Sequence, residues 1–420
     1  MSPEGPRALM LTPDEGYLDR RIVQEAATLA ARGWSVDIFP VVDPGLRYQG
    51  ALADGVRLLS SPHPPAPASS VRRALRAGRR RVGRIAPWMD RAVEALRYRR
   101  WDRARQLADA SREHLLALGR FELVFAHDVP VFPLGVELAK RWRSPLICDL
   151  HEIFPEQDEH FTTATARRYW RSVERIGMAD ADGIICVNEA VADYVRARYG
   201  PLVPIILLHN TMPFMTREAL TGRSIGEYYP IPAGSRVMIF AGSLRPHANL
   251  ETVVDGFGRA NLAGWVLAIL GDGPLKDSLL RDVERLGLRD RVFLGARANE
   301  RDLVPAIASA DVGLLPYQAV GINHEIATPN KLFEYLQARV PIATSRLPMV
   351  ERIIDAAETG AYVDYSSTEA TAAGLQAFVT RTLPQISRET LDAAAERFAW
   401  EREEGGLVTL VEAVTRRSAR

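Results

Sequence analysis

Residues 326–338 read I-A-T-P-N-K-L-F-E-Y-L-Q-A, and this stretch decides how the rest of the chain is read. Thr328 is suited to cap a helix whose first position is Pro329, where a missing N–H costs nothing because it would have no intrahelical partner. Such a helix opens with free amides and the positive end of its dipole, and Asn330 and Lys331 stand in its first turn. Glu334 follows one turn later on nearly the same face. A phosphate grip beside a carboxylate that can accept two neighbouring hydroxyls is what a nucleotide sugar needs. An ordinary capped helix, with Lys331 and Glu334 in solvent, would use the same residues.

Outward from this stretch, apolar strand-like runs alternate with helical spacing. In the C-terminal half the strands fall at 236–241, 265–270, 291–294 and 311–315, with helices between them. The N-terminal half repeats the pattern, with strands at 8–11, 35–42, 122–126, 145–150, 183–187 and 204–208. That alternation predicts an α/β protein with two doubly wound, Rossmann-like parallel sheets. Periodicity fails over 212–234, which is rich in Pro and Gly, and the domain boundary is expected there. The division is 1–215 for the first domain, with an arginine-rich insertion at about 71–106, then 216–398 for the second, and a closing helix over 399–420.

The run P-N-K-L-F-E-Y, with the strand A-R-V-P-I-A-T-S after it, resembles the C-terminal signature of retaining glycosyltransferases of family 4, which have the two-domain GT-B fold. The resemblance implies that a nucleoside diphosphate sugar docks on the helix opening at Thr328, Pro329, Asn330 and Lys331, with Glu334 on the ribose. It implies that D-L-H-E-I-F-P-E at 149–156 brings His151 to the sugar, and that the last helix crosses back to the first domain. Gly16 in the first loop, Gly242 and Gly271 at strand ends, and Arg297 near the nucleobase complete the implied donor site. The family carries Arg directly after the glycine at 242 and Lys five residues later, whereas this chain has Ser243 and Ala248. Arg245 and Lys331 are the expected replacements, with Lys276, or His247 if protonated, as lesser ones. The first glutamate of the family's E-x7-E pattern falls on Ile326.

Composition narrows the class. The chain has 420 residues, 47% of them hydrophobic, and a formal charge of +1, which suits a globular protein and argues against nucleic acid as a main partner. Cys148 and Cys186 lie in apolar runs, as buried thiols do in a reducing compartment. Three lysines, Lys140, Lys276 and Lys331, stand among 53 basic residues, so a lysine can mark a place that needs a compact ammonium. No apolar run reaches the ~20 residues of a membrane span. Thirteen arginines interleaved with aromatic and aliphatic residues over 71–106 would suit an anionic membrane surface or a solvated face.

The expectation is therefore a cytoplasmic enzyme, peripheral on the membrane through this segment, that uses no metal or other cofactor. It would move a sugar with retention to an acceptor sugar, glycolipid or small molecule, in cell-surface polysaccharide or glycolipid synthesis. A nucleotide-sugar epimerase, using His127, His209 or His247 as a second acid–base group, and a non-catalytic homologue are the alternatives.

Overall fold

The computed structural model describes residues 5–13, 18–42, 52–60, 105–157, 164–200 and 203–418. The expected Gly16 site and positions 71–104 of the arginine-rich segment lie outside the described residues. The chain divides into two compact units, 1–208 with 404–420, and 209–403. Among the described residues, no helix is long and apolar enough to cross a membrane.

The first unit contains a parallel seven-stranded sheet in the order β3-β2-β1-β4-β5-β6-β7. Its strands are β1 (Arg7–Thr12), β2 (Ser35–Pro40), β3 (Val56–Leu58), β4 (Leu123–His127), β5 (Leu146–Leu150), β6 (Gly183–Cys186) and β7 (Ile205–Leu207). Every residue of β4 and β5 is buried, as strands covered on both faces require. Helix Arg20–Ala30 returns the chain from β1 to β2 and is capped by Asp19, whose side chain accepts from the Arg21 amide. The closing helix, Trp400–Ser418, brings Glu404 to Thr28 (2.9 Å) and Arg32 (3.4 Å).

The second unit's parallel sheet has six strands in the order β10-β9-β8-β11-β12-β13. They are β8 (Arg236–Ala241), β9 (Trp265–Leu270), β10 (Val292–Leu294), β11 (Val312–Leu315), β12 (Ile342–Thr344) and β13 (Gly360–Tyr362). Alternation along β8 sends Val237, Ile239 and Ala241 into one apolar core and Met238 and Phe240 into the other. In each sheet the chain winds one way and then the other, so the strand order reverses between β1 and β4 and between β8 and β11. Open sheets of this kind bind ligands at that reversal, beyond the carboxyl ends of the strands.

Candidate functional site

At the second unit's reversal, three loops are laced together by backbone bonds. Gly242 N–H donates to Leu270 O (2.9 Å), Leu244 N–H to Asp272 O (3.0 Å), and Gly271 N–H to Ala296 O (2.8 Å). The approach is close enough to demand glycine: a Cβ on Gly271 would lie 1.8 Å from the Gly242 carbonyl oxygen. Helix Asn330–Ala338 ends its first turn over these loops. Tyr335, buried beneath it, donates to the Leu314 carbonyl (3.1 Å) and accepts from the Ala241 amide (3.2 Å), pinning the helix across β8 and β11. One turn earlier Lys331 crosses Gly242, which has φ +153° and whose added Cβ would fall 1.8 Å from Lys331 Cε and 2.8 Å from Nζ. Among the described residues no carboxylate pairs with Lys331. Glu334 is buried; burial, and then its charge, push the Tyr317 hydroxyl up.

The helix start differs from expectation. Pro329, not Thr328, is the N-cap, with extended backbone (φ −62°, ψ 141°), the helix begins at Asn330, and the proline ring itself offers no capping group. Proline's fixed φ suits both positions, and here ψ chooses. Thr328 stands one residue before the cap, and it is buried. Beside Lys331, His247 packs against Tyr317 and His324 with ring centroids at 5.6 and 4.8 Å. Burial, then the charges of His324, Arg245 and Lys331, push His247 down to about 4. It is neutral at pH 7, so the condition under which His247 would serve as a cation for a diphosphate is not met.

At the first unit's reversal the site is filled rather than open. Asp149, near the end of β5, is fully buried and accepts at Oδ1 from Arg21 Nη2 (2.6 Å). Its Oδ2 accepts from His151 Nε2 (2.8 Å) and His127 Nδ1 (2.9 Å). His151 Nδ1 lies 3.5 Å from Asp19 Oδ2. Burial raises the Asp149 carboxyl, but the Arg21 and His151 charges and the two imidazole hydrogen bonds hold it well below the usual range. Burial leaves His127 neutral, with Nδ1–H on Asp149 and no partner for Nε2. His127, Asp149 and His151 offer three ligand atoms within 4.8 Å, but Asp149 already carries Arg21 and both imidazoles, a donor set that opposes a cation. Directly after β4, Asp128 has φ 64° and ψ 155°, a region otherwise left to glycine.

Residues 225–398 match the family described as glycosyl transferases group 1, and residues 18–211 match the glycosyl transferase 4-like domain. The chain is built from two glycosyltransferase domains in the GT-B fold. The sucrose-phosphate synthase of Thermosynechococcus elongatus has a similar structure (TM-score 0.68, 16% identity, covering 97% of this chain and 98% of that one). So does an α,α-trehalose-phosphate synthase (UDP-forming) from Burkholderia vietnamiensis (0.67, 13%, 99% of each). A third is Alr3699/HepE of Anabaena, determined in complex with UDP-glucose (0.64, 14%, 97% and 99%). No curated protein matches the sequence.

Within the glycosyltransferase, Gly242, Gly271, Lys331 and Glu334 gather at the second unit's reversal, joined by Arg245, whose Nε donates to Ser243 Oγ (3.2 Å). Ala248 is fully buried in the core. Arg297 is exposed at the same end of the sheet, beyond β10. Lys276 is a tether: its ammonium donates to Gly295 O (3.0 Å). Lys140 pairs with Asp180 (2.6 Å), and Asp182 accepts the Leu146 amide, so the D-A-D run is structural. Both cysteines are buried, and burial pushes the Cys186 thiol up to about 12. Arg21, Asp149 and Tyr335 were not singled out from sequence; an aspartate inside the apolar run L-I-C-D-L was the available signal for the first two.

Proposed function

We propose that the protein is a retaining family 4 enzyme that transfers a sugar from a nucleoside diphosphate sugar to an acceptor hydroxyl. The observation that carries this reading is Lys331 lying across Gly242 at the mouth of the helix that opens at Asn330, with Glu334 one turn on. Helix amides and an ammonium together hold a diphosphate, and a buried carboxylate accepts the ribose hydroxyls. Arg245 and Lys331 take the charge that grows on the departing diphosphate, a stabilisation worth several kcal/mol in such reactions, and no metal is needed. The Anabaena protein's complex with UDP-glucose supports a donor of this class.

His151 acts on the sugar or its leaving group. An epimerase would require a second acid–base residue at the sugar. His127 has no exposed surface and His209 is bonded to Glu403 (2.8 Å), so of the three candidates only His247, beside Lys331, stands at the donor site. The acceptor is a sugar or glycolipid of a cell-surface polymer, and the arginine-rich segment contacts an anionic membrane. Flotation with anionic vesicles at low salt tests the membrane contact.

A panel of UDP-, GDP- and ADP-sugars in thermal-shift assays tests the donor, since a ligand bound by the native state alone raises the melting temperature. One donor is expected to do so, and the product formed from it should keep the donor's anomeric configuration. Absence of any shift at millimolar nucleotide sugar would overturn the reading. Turnover that chelators abolish would overturn the metal-free mechanism.

A further inference from the structure

We propose that Asp149 is a positioning residue which, with Asp19, fixes the His151 ring between two carboxylates, leaving His151 a hydrogen-bond donor to substrate and not a base. The role in transfer rests on the reading above; the anchoring does not. Asp149 has no exposed surface, and a carboxylate so buried costs several kcal/mol unless it is paired. Arg21, itself 1% exposed, supplies the pair through Nη2 and is braced through Nη1 on the Leu208 carbonyl (3.1 Å). The counter-charge is rigid, so the Oδ2 that receives His151 Nε2 is rigid too. On the other side of the ring, Asp19 is held at the helix N-cap by the Arg21 amide (2.8 Å).

Among the described residues, the charged and titratable groups that act on His151 include His127 and Asp128 at the end of β4, Asp149 on β5, and Asp19, Arg21 and Glu25 on the first helix and its cap. Burial and the Arg21 charge work against a protonated His151. Asp149, Asp128 and the hydrogen bond to Asp149 outweigh them and hold it well above the usual histidine range. Burial, then the Asp149 charge, push the Glu25 carboxyl well up, against the pull of the Arg21 and His151 charges. An imidazolium cannot take a proton from an acceptor hydroxyl, but it can donate to a substrate oxygen. The Nδ1 contact at 3.5 Å is longer than the Nε2 contact at 2.8 Å, and the Asp19 side chain is 26% exposed where that of Asp149 is 0%. Nδ1–H is therefore the bond that a sugar hydroxyl or phosphate oxygen can take over.

The test is ¹⁵N–¹H NMR of the full chain labelled at histidine, from pH 5 to 9, with the His151 signal assigned through His151→Gln. Wild-type His151 should stay protonated well past the ~6.5 midpoint of an ordinary histidine. Asp149→Asn should lower that midpoint by about 1–3 units, and Asp19→Asn by less. Because Asp149→Asn removes the nearer carboxylate partner of Arg21 and leaves only Glu25, at 3.7 Å, as an ion pair, circular dichroism accompanies it, and Asp19→Asn at its partly exposed position carries the test if the fold is lost. With the donor found above, Asp149→Asn should lower kcat with little change in KM, and wild-type activity should be level across the ordinary histidine range. A wild-type midpoint near ~6.5, or one unmoved in a folded Asp149→Asn protein or, failing that, in Asp19→Asn, overturns the proposal. Midpoints as expected with no nucleotide sugar turned over would leave the anchoring standing and remove the transfer reading.

Discussion

The two sheets finish their reversals in opposite ways. At the second, the protein clears space: Gly242 and Gly271 bring loops within a distance that no Cβ tolerates, and a single lysine lies across them. At the first, it fills space with paired charge, packing Arg21, Asp149 and His127 out of solvent, and keeps an aspartate at φ 64° where a glycine would be at ease. Holding a large anion through backbone amides needs room and a cation free to approach it. Orienting one ring needs a buried counter-charge that cannot move.

The contrast can be broken most severely at Gly271. Gly271→Ala should lower the second unit's stability by about 3 kcal/mol or more, since its Cβ meets a backbone oxygen that cannot step aside, and chemical denaturation measures the loss. A midpoint equal to wild type would show that the loops are loose and the cradle is not built as described. Next in size, Lys331→Ala should cost about 1.5–3 kcal/mol of affinity for UDP or GDP and leave affinity for the free nucleoside unchanged, as read by calorimetric titration. Equal losses for nucleoside and diphosphate would move Lys331 away from the phosphates.

On the other side of the comparison, Asp128→Gly should stabilise the protein by about 1 kcal/mol. Relief of ~1–3 kcal/mol of backbone strain is set against ~1 kcal/mol of added chain entropy in the unfolded state. A fall in melting temperature would mean that the Asp128 side chain does more for the fold than its contact with the His151 amide (3.3 Å) suggests.

The smallest effect concerns two buried carboxylates in the first unit, one hydrogen-bonded to a guanidinium and one to a phenol. Glu174 is buried like Asp149 but its hydrogen bond comes from Tyr199, and burial raises it to about 7. A raised carboxyl is at its most favourable while protonated, so stability is lost as pH rises from the ordinary ~4.5 through 7. Glu174→Gln should therefore melt with wild type at pH 5 and above it at pH 8. A difference that does not change with pH would remove the titration.

Much of this was legible in the chain, for reasons tied to periodicity and to local chemistry. Long apolar runs such as 236–241 announced buried parallel strands, and P-N-K-L-F-E-Y announced the helix that carries Lys331 and Glu334. The short strand β3 was missed because three residues hold too little pattern. Thr328 was expected as the cap because its hydroxyl is of the right kind; the extended ψ of Pro329, which local sequence does not determine, moved the helix by one residue. Arg21 and Asp149 lie 128 positions apart and meet only because β5 ends beside the first helix. Spacing along a chain does not reveal such a pair.

The account stands or falls on whether a nucleoside diphosphate seats at the helix of the second unit that opens at Asn330. Calorimetric titration of UDP and GDP into wild type and Glu334→Ala tests it most directly. A fall of about 1.5–3 kcal/mol in affinity for whichever nucleotide the wild type binds is the expected result. Binding of equal strength in both proteins would contradict it.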